Sequence, residues 1–519
     1  FEGSMKKFID CAFKIIFSRT LIIIVMILLQ IMVLLAGFTW LGRSMSFIWE
    51  IMNVLGALLV IHIINKDEPT EFKMSWIIII CLLPVLGALI YLLVVGNFGG
   101  LGLKKRLQEC SKETEGLVET SKETGLAITQ SPKQFQGFAH YMEQTAGFPV
   151  YHNSKAVYFP SGEEKFRDLL EELKKAEKFI FLEYFIVEPG IMWNAILDIL
   201  KEKVKEGVEV RVMYDGMCSI LLLPYGYPEE LKGYGIKAKM FSPIRPFLST
   251  SQNNRDHRKI LIIDGKVAYT GGVNFADEYI NEKERFGHWK DVAVRVNGRA
   301  VKSFTVMFLQ MWNVYEKEQE DYSRYLDGID YSQVPRGDGF MIPYGDTPTR
   351  HAEVAKTVYA SIISSATSYV HIMTPYFIVD REFFDNMRYA AQKGVEVSMI
   401  LPHIPDKKAV YYIARTFYPQ LLEAGIKVYE YTPGFVHAKI FTADDTTAVV
   451  GTVNLDYRSF YHHFECGVYF YENSVVEKVE EDFRKTLEDC QEVTMEYYKK
   501  IPIYQKMIGK IFKFFAPLM

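Results

Sequence analysis

The chain has 519 residues, with 59 Lys and Arg against 63 Asp and Glu, and its net charge at pH 7 is −4. This balance argues against a protein that coats nucleic acid, which would need a strongly basic surface. A charged fraction of 24% and an apolar fraction of 49% also exclude a chain that is disordered throughout.

Residues 1–103 are predicted to form a membrane region of two or three apolar helices. Thr20–Gly42 contains no charged residue and no His, and Met74–Val95 is strongly apolar. Uncharged runs of this length exceed what a helix in a soluble core requires. Phe47–Ile64 is also apolar but carries polar side chains. It could therefore cross a membrane, pack inside a bundle or lie at the interface.

Basic residues near these segments leave the topology open. One cluster of Lys and Arg precedes the first segment, and another follows the third. The positive-inside rule places both clusters in the cytoplasm. Two spans would satisfy that rule, whereas three spans would separate the clusters. We expect the large globular part to face the cytoplasm. A cleaved signal peptide is not expected, because further apolar segments follow the first.

The remainder of the chain alternates between helix and strand patterns. Residues 104–150 are polar with little periodicity, and we expect a connector with helical pieces. From residue 151, amphipathic stretches at helical spacing alternate with apolar runs typical of buried strands. The predicted elements are helices at 163–178, 192–206, 353–365 and 381–393, and strands at 179–187, 208–215, 369–379 and 395–402.

Short sequence matches indicate an internal duplication. YFIV occurs at 184 and 376, GVEV at 207 and 394, and GIK at 235 and 425. These matches share a separation of about 190 residues, which chance does not explain. Alternation of strands and helices in each half predicts two similar α/β halves, residues 151–330 and 331–500, packed against one another. Residues 501–519 form an amphipathic tail.

Each half contains the same pattern of polar residues. The pattern H-x-K-x4-D-x6-G-x-x-N occurs at His257, Lys259, Asp264 and Asn274, and again at His437, Lys439, Asp444 and Asn454. A chain with 11 His would rarely contain this spacing even once by chance. Two copies in register with the duplication are therefore a strong signal.

The spacing indicates a β-hairpin with His and Lys on one face. Side chains alternate along a strand, so His257 and Lys259 point to the same side. Asp264 and Gly265 form a typical hairpin turn, and the return strand brings Asn274 back beside the His. Two such hairpins facing each other would gather two His, two Lys and two Asn around one phosphodiester. The Lys and Asn side chains would neutralise its non-bridging oxygens, which gain charge in the transition state.

This arrangement resembles the phospholipase D superfamily, whose members carry two such motifs, and within it the bacterial cardiolipin synthases. Further similarities are Glu183-Tyr184 at a strand end, HWKD at 288–291, and NLDYRS at 454–459 followed by Glu465. The resemblance covers nearly the whole chain, although Thr20–Gly42 looks additional to the expected two-span pattern. It implies an α/β fold of two phospholipase D-like α/β/α sandwich halves with pseudo-twofold symmetry, preceded by N-terminal transmembrane helices.

The resemblance also implies a mechanism. One motif histidine attacks the phosphorus of a phosphatidylglycerol and forms a phosphatidyl-histidine. The other histidine protonates the departing glycerol and then deprotonates a hydroxyl of a second phosphatidylglycerol, which gives cardiolipin. By analogy, His257 is the nucleophile and His437 the general acid and base. Asp264 and Asp444 are expected to support the histidines by hydrogen bonding.

Other polar residues are weaker candidates for the site. We expect Asn274, Asn454, Glu183, Glu465 and Arg458 to contribute to substrate binding. Glu183 could instead be a strand-end residue, and the same alternative holds for Glu465. Arg458 could bind a lipid phosphate or pair with Asp456 at the surface.

No metal or cofactor is expected. His462 and His463 do not suggest a metal pair, because adjacent residues in a strand point to opposite faces and no acidic or Cys cluster accompanies them. His371 lies in a strand without a motif and is expected to pack in the core or at the surface. The six cysteines form no CxxC pair and predict free thiols in a reducing compartment.

The tail and the alternative functions complete the expectations. Tyr504–Phe515 places apolar residues on one side and lysines elsewhere, which favours a helix lying on anionic lipid over a capping helix. The expected partners are the membrane phospholipids phosphatidylglycerol and cardiolipin, with no nucleic acid, and homo-oligomer formation is left open. The alternatives are a phospholipase D-type hydrolase, another phosphatidyl transferase, a nucleic-acid phosphodiesterase and a membrane scaffold without activity.

Overall fold

The computed structural model describes residues 32, 36, 46–95, 101–218, 222–243, 253–316, 320–349 and 352–518. The predicted span Thr20–Gly42 lies outside these residues apart from two positions.

The helices are α1 (Ser46–Ile64), α2 (Thr70–Leu82), α3 (Pro84–Val95), α4 (Leu101–Glu113), α5 (Lys122–Gln130), α6 (Lys133–Gln144), α7 (Gly162–Lys174), α8 (Ile191–Lys205), α9 (Tyr227–Gly233), α10 (Val301–Asn313), α11 (Ser323–Leu326), α12 (Val354–Ser365), α13 (Arg381–Gln392), α14 (Lys408–Arg415), α15 (Tyr418–Glu423), α16 (Tyr457–Tyr461), α17 (Ser474–Leu487), α18 (Met495–Lys500) and α19 (Ile503–Phe515).

The strands are β1 (Tyr151–Phe159), β2 (Phe179–Tyr184), β3 (Glu209–Asp215), β4 (Lys237–Phe241), β5 (Lys259–Ile263), β6 (Val267–Gly271), β7 (His288–Lys290), β8 (Ala293–Asn297), β9 (Arg336–Asp346), β10 (Tyr369–Met373), β11 (Phe377–Ile378), β12 (Glu396–Pro402), β13 (Lys427–Tyr431), β14 (Gly434–Val436), β15 (Ile440–Ala443), β16 (Thr447–Gly451), β17 (Leu455–Asp456), β18 (Glu465–Tyr471) and β19 (Cys490–Glu492).

The third apolar segment, Met74–Val95, is not one continuous helix. Helix α2 ends before Leu83, and α3 begins at Pro84, because a proline disfavours helical geometry in the residue before it. Gly87 then allows α3 to pack closely on α2, since a Cβ atom there would lie 2.7 Å from the carbonyl oxygen of Ile79. Within the described ranges, no helix combines the length and the apolar character that crossing a membrane requires.

A single mixed sheet joins the two halves. Its strand order is β19-β13-β12-β10-β15-β16-β18-β9-β1-β8-β6-β5-β2-β3-β4. From the central antiparallel pair β9–β1 outward, seven strands of each half occupy equivalent places, and β19 is an additional edge strand in the second half. This mirrored order confirms the predicted duplication of an α/β unit and fits a pseudo-twofold relation between the halves.

Local sequence signals explain where the elements begin and end. The side chain of Ser161 caps α7 by accepting a hydrogen bond from the backbone N–H of Glu164. Gly207 adopts a φ of +90° directly after α8, the left-handed conformation that commonly terminates helices. In the second half, Asp380 caps α13 in the same way as Ser161 caps α7. The predicted helices and strands of both halves are therefore present, with ends that differ by a few residues.

Both motif hairpins are also present. Strands β5 and β6 are joined through Asp264 and Gly265, whose φ angles are +53° and +66°. Strands β15 and β16 are joined through Asp444 and Asp445, each with a φ of +53°. Two central residues with positive φ match the right-handed twist of the flanking strands.

One face of the sheet is shared by the two halves. On this common face, Phe181 and Ile262 of the first half belong to the same apolar cluster as Ile440 and Val468 of the second. Helices α10 and α17 supply further residues to this cluster. The opposite faces carry two separate clusters, one in each half. Lys259 alternates with Ile260 along β5 and so projects from the face opposite the common one.

Candidate active site

The two motif histidines lie where each half meets the other. His257 precedes β5, and its backbone N–H donates to the carbonyl oxygen of Phe464 in the second half, at 2.9 Å. His437 precedes β15, and its backbone N–H donates to the carbonyl oxygen of Lys290 in the first half, at 2.7 Å. The short parallel pair β7–β14 extends this second contact. Backbone pairing between the halves thus fixes both histidines.

Each histidine is hydrogen-bonded to a carboxylate from the opposite half. Nδ1 of His257 lies 3.0 Å from both carboxylate oxygens of Glu465, the first residue of β18. Nδ1 of His437 lies 2.6 Å from Oδ2 of Asp291, which directly follows β7. All four side chains are buried. A carboxylate that accepts a hydrogen bond from Nδ1 keeps the proton there and leaves Nε2 unprotonated, on the side of the ring away from the carboxylate. An imidazole held in this way can act as a nucleophile or a base.

The two carboxylates have different surroundings. Glu465 also accepts hydrogen bonds from the hydroxyls of Ser459, at 2.7 Å, and Thr452. Burial alone would raise the pKa of Glu465, but His257 and, after it, His463 lower this pKa below its usual range. Asp291 lacks such hydroxyl donors in the described structure, and burial raises its pKa to about 6 despite the nearby Lys439. Glu465 therefore stays ionised, whereas the pKa of Asp291 is close to that of an imidazole.

A glycine and a threonine at equivalent positions explain this difference. Gly272 follows β6, and a Cβ atom there would lie 1.9 Å from Oδ1 of Asp291. Thr452 follows β16, and its hydroxyl donates to the longer Glu465 side chain. At this position the first half requires glycine, because Asp291 lies too close for a side chain. The second half has Thr452, which donates a hydrogen bond to Glu465.

The motif aspartates do not reach the histidines, so that expectation was wrong. The carboxylate of Asp264 accepts hydrogen bonds from the backbone N–H groups of residues 177, 178 and 179, at 2.7–2.9 Å. Asp444 binds the equivalent amides of residues 367, 368 and 369. Both aspartates occupy the hairpin turn at the far end of the strand. They fix the backbone at the start of β2 and β10 and do not contact the motif histidines.

Two buried lysines make the site electropositive. Nζ of Lys259 donates to the carbonyl oxygen of His257 at 2.6 Å, and Nζ of Lys439 donates to that of His437. Burial lowers the pKa of Lys259 to about 8 and that of Lys439 to about 7. An anionic ligand would restore the charged form of both, so this pair suits a phosphate group.

Both histidines are neutral at rest. Burial lowers the pKa of His257 well below its usual value, and Lys259 lowers it further. Burial and the two motif lysines have the same effect on His437. A neutral imidazole whose Nδ1–H is held by a carboxylate carries a free electron pair on Nε2. Either histidine can therefore attack phosphorus or accept a proton.

The motif asparagines have different contacts. Asn274 accepts a hydrogen bond from the backbone N–H of Ile186 and donates to the hydroxyl of Tyr279. The amide oxygen of Asn454 is buried and has no hydrogen-bond partner among the described residues. Binding of substrate by these asparagines stays a prediction.

Glu183 projects from the common face of the sheet, whereas Lys259 projects from the opposite face. The prediction that Glu183 contacts substrate was therefore wrong. In the β2–β5 register Glu183 is paired with Ile260, which belongs to the common-face cluster. Its carboxylate forms a buried ion pair with Arg258, at 2.5 Å. Arg258 alternates with His257 and Lys259 along the chain. The ion pair therefore links the residue before β5 to β2 on the face of the sheet opposite His257 and Lys259.

Arg458 is exposed on α16, and in the part of the chain that the structure describes its guanidinium forms no ion pair. The carboxylate of Asp456 instead caps α16 by accepting from the N–H of Ser459, at 2.8 Å. The alternative in which Arg458 pairs with Asp456 is thus not seen. Binding of a lipid phosphate by Arg458 stays a prediction.

From the sequence, His463 was considered only as part of a metal pair and was discounted for want of an acidic neighbour, but the structure places it in the site beside Glu465. Its ring lies 5.3 Å from that of His257, and its Nδ1 lies 3.5 Å from Oε1 of Glu465. His463 and His462 lie in a turn and diverge, since His462 contacts Phe72 of α2. The same position in the first half is occupied by Trp289, whose ring lies 5.4 Å from that of His437. Only the equivalence of the two halves could have indicated it.

Side chains of the kind that bind metals occur together here. Donor atoms of His257, His463 and Glu465 lie within 4.8 Å of one another. Nδ1 of His257 is already engaged by Glu465. His371 lies outside this group. It contacts Glu480 at 3.0 Å and stacks on Phe483, a packing role that matches the expectation.

Comparison with protein families assigns the chain to one of them. A family model described as "Cardiolipin synthase, PLD-like domain" matches residues 169–312 and 359–487, one match in each half. The chain belongs to the cardiolipin synthase family. A second model, of the phospholipase D-nuclease N-terminal region, matches residues 54–95. This family of phosphatidyltransferases accounts for both the duplicated fold and the paired motifs.

Individual relatives cover most of the chain. A cardiolipin synthase of Alkalihalophilus pseudofirmus is 33% identical over 93% of this chain and 95% of that protein. An uncharacterised protein of Streptococcus mutans is 46% identical over 89% of this chain and 99% of that protein. Among solved structures, the phosphatidylserine synthase of Haemophilus influenzae has a TM-score of 0.56 at 15% identity, covering 73% of this chain and 97% of that chain. That likeness supports the phospholipase D-like fold.

Proposed function

We propose that the protein is a cardiolipin synthase that transfers a phosphatidyl group from one phosphatidylglycerol to another. The observation that carries the proposal is the pair of histidines, each hydrogen-bonded through Nδ1 to a carboxylate of the opposite half, with a buried lysine beside each. Two activated imidazoles at one electropositive site suit a two-step displacement at phosphorus.

In the first step Nε2 of His257 attacks the phosphorus of phosphatidylglycerol. A P–N bond forms and the P–O bond to the headgroup glycerol breaks. His437 takes up a proton when the anionic phosphate binds beside it, and it gives this proton to the leaving oxygen. Lys259 and Lys439 neutralise the charge on the non-bridging oxygens. Glu465 favours His257 as the nucleophile, because a carboxylate that stays ionised keeps Nδ1 protonated throughout.

In the second step His437 removes the proton from a headgroup hydroxyl of the second phosphatidylglycerol. That oxygen attacks phosphorus, the P–N bond breaks, and cardiolipin leaves a neutral His257. Asp291 suits this exchange, since its pKa of about 6 is close to that of an imidazole. One glycerol is released for each cardiolipin formed.

A cavity beside the site fits a lipid substrate. It has a volume of about 1230 Å³ and lies between α2, α3 and the second half. Its walls include Phe72 and Trp76 on the apolar side and Asn254 and His462 on the polar side. The last two residues lie close in sequence to His257 and His463. We infer that this cavity admits acyl chains along the N-terminal helices.

We also propose that the N-terminal region makes the protein a multi-pass membrane protein, with the catalytic halves in the cytoplasm. Apolar residues on α1, including Val54 and Leu58, are exposed in the described structure and would be covered by lipid. The test is protease digestion of the catalytic halves in sealed vesicles of known orientation. Cleavage in inside-out vesicles alone supports this orientation, and cleavage in right-side-out vesicles alone contradicts it.

The activity is tested by incubating the purified protein with phosphatidylglycerol as the sole lipid and analysing the products by mass spectrometry. The variant His257→Ala is expected to be inactive. Its matched control is His371→Ala, which removes a buried histidine that contacts Glu480. We expect equimolar cardiolipin and glycerol from the unchanged protein and from His371→Ala, and none from His257→Ala. Phosphatidic acid in place of cardiolipin would mean that water is the acceptor and that the protein is a hydrolase.

A further inference from the structure

The C-terminal helix α19 is fixed to the catalytic part by one face. Gly509 packs against α14 so closely that a Cβ atom there would lie 2.3 Å from the carbonyl oxygen of Tyr412. Nζ of Lys513 lies 3.4 Å from the ring centroid of Phe417. The last turn of the helix is anchored too, because the hydroxyl of Ser75 in α2 donates to the carbonyl oxygen of Phe514. The helix is thus part of the folded protein, so the capping role that the sequence left as an alternative is present on this face.

The opposite face of α19 is apolar and exposed. Residues spaced by four positions form one stripe, with exposed fractions of 71% for Ile503, 57% for Met507, 59% for Ile511 and 40% for Phe515. Tyr504 and Phe512 widen the stripe and are also exposed. We call these six residues the apolar strip. A helix on a water-facing surface would carry polar side chains at these positions.

The charges beside the apolar strip identify its partner as anionic. Residues 501–519 contain three Lys and no acidic residue. Lys510 is exposed, and Lys506 packs over the ring of Tyr498 at the edge of the strip. A second copy of the chain is a poor partner, since a symmetric contact through the strip would bring the same lysines together. A surface of anionic lipid headgroups over an apolar interior complements both features.

The strip also continues into the N-terminal helices. The turn after α19 packs on α2, and Leu518 contacts the apolar cluster of Ile63, Trp76 and Tyr91. Leu82 and Leu92 of that region are exposed apolar residues as well. Helices α1–α3 and the turn after α19 therefore lie together, beside the cavity that we assign to the lipid.

We propose that the apolar strip of α19 docks on the surface of an anionic bilayer and holds the second catalytic half against it. This proposal rests on the proposed function only in that the substrate is an anionic bilayer lipid. The helix lies parallel to the membrane, with its apolar side chains among the acyl chains and its lysines at the phosphates. It acts in addition to the N-terminal region and determines how the catalytic half is oriented.

The docking is tested without using activity. The full-length protein, with Cys11, Cys81 and Cys490 replaced by serine, is labelled with an environment-sensitive fluorophore at Met507→Cys. The matched control carries the label at Asp198→Cys, an exposed position on α8. Both proteins are placed in nanodiscs of phosphatidylcholine, with or without phosphatidylglycerol, that contain doxyl-labelled lipid as quencher.

We expect a blue-shifted emission that doxyl lipid quenches at position 507 in phosphatidylglycerol nanodiscs, and water-like emission at position 198. Replacing Lys506 and Lys510 by glutamate should remove the shift. Water-like emission at 507 in both compositions would overturn the proposal. A shift without quenching would also overturn it, since the strip would then be covered by protein. Equal quenching in both compositions would overturn the role of the lysines.

A second measurement separates this proposal from the proposed function. Met507→Glu with Ile511→Glu should lower activity on phosphatidylglycerol bilayers about ten-fold, and leave activity on detergent-dispersed phosphatidylglycerol unchanged. Leu126→Glu, which alters an exposed apolar residue on α5, is the control and should change neither. Equal loss on both substrates, or no loss on bilayers, would contradict docking. Absence of activity in the unchanged protein would reject the function and leave the fluorescence result valid.

Discussion

Four acidic side chains around the two hairpins differ in what they bind. Asp291 and Glu465 accept hydrogen bonds from the histidines, whereas Asp264 and Asp444 accept them from backbone amides near the start of β2 and β10. The first pair can influence the reacting imidazoles directly. The second pair acts on the fold, because a buried backbone N–H without an acceptor is costly.

The comparison of Asp291→Asn with Asp264→Asn tests this division. Asp291→Asn should lower kcat about 100-fold or more, with little change in melting temperature, because the neutral amide no longer stabilises a charged imidazole and its NH2 group can hold His437 in the wrong tautomer. Asp264→Asn should lower the free energy of unfolding by about 1–3 kcal/mol, with kcat per folded molecule retained. Initial rates and thermal unfolding on the same preparations measure both. Equal effects of the two substitutions on kcat would contradict the assignment.

The buried lysines predict the pH dependence. In the free protein the pKa is about 8 for Lys259 and about 7 for Lys439, both lowered by burial. As pH rises through 7 to 8 the site loses the positive charge that binds phosphate, so kcat/KM should fall. The two histidines, whose pKa values lie below the usual value, stay neutral across this range and do not cause the fall. A pH profile of kcat/KM measures it. A kcat/KM that rises from pH 7 to 9 would contradict this electrostatic account.

The residue types of the site could be predicted from sequence, but the partner of each histidine could not. The spacing of His257 and Lys259 places them on one strand face, and the structure agrees. Asp264 was assigned to the histidine because it belongs to the same motif, although its place in the turn already favoured backbone amides. Asp291 and Glu465 come from the opposite half, and no local spacing indicates that pairing.

Among the secondary-structure elements, the end of β6 is where a single methyl group should disturb the site. Gly272→Ala would place a Cβ atom 1.9 Å from Oδ1 of Asp291, so this carboxylate must move away from His437. We expect a loss of about 100-fold in kcat, the effect of a displacement of about 1 Å in a catalytic group. Steady-state kinetics measures it.

Gly137→Ala provides the matched control for Gly272→Ala. Gly137 lies within α6, and a Cβ atom there would meet no other atom within 4 Å. This change should leave kcat unchanged and stabilise the helix by about 1 kcal/mol at most. Full activity of Gly272→Ala would mean that the close approach of Asp291 is not needed for catalysis.

Elements with local signals were predicted well, and those set by distant contacts were not. Caps such as Ser161 and Gly207 define α7 and α8 in the sequence itself. Strands β7 and β14 are three residues each and exist only because they pair with each other across the halves. Met74–Val95 is apolar throughout and was predicted as one helix. The structure instead has two helices in this segment, because Pro84 interrupts it.

At the scale of the whole molecule, the two halves share one sheet and one apolar cluster on its common face. We therefore expect the catalytic part to unfold in a single cooperative transition. The sequence has six Trp, three at 40, 49 and 76 in the N-terminal region and three at 193, 289 and 312 in the first half, with none between 331 and 500. With the three N-terminal Trp replaced by Phe, tryptophan fluorescence reports on the first half, and hydrogen exchange of peptides from β12 and β16 reports on the second. Different denaturation midpoints for the two signals would show that the halves unfold independently.

In the proposed mechanism His257 carries the phosphatidyl group between two lipids. The most direct measurement is mass spectrometry of protein denatured in cold detergent at mildly alkaline pH, where a P–N bond survives, after brief incubation with phosphatidylglycerol and followed by peptide mapping. His437→Asn lacks the group that protonates the leaving glycerol and activates the acceptor, so the phosphatidyl adduct should form more slowly in this variant and then persist. We expect a phosphatidyl adduct on the peptide that contains His257, and none in His257→Ala. An adduct on His437, or cardiolipin formation by His257→Ala, would contradict this mechanism.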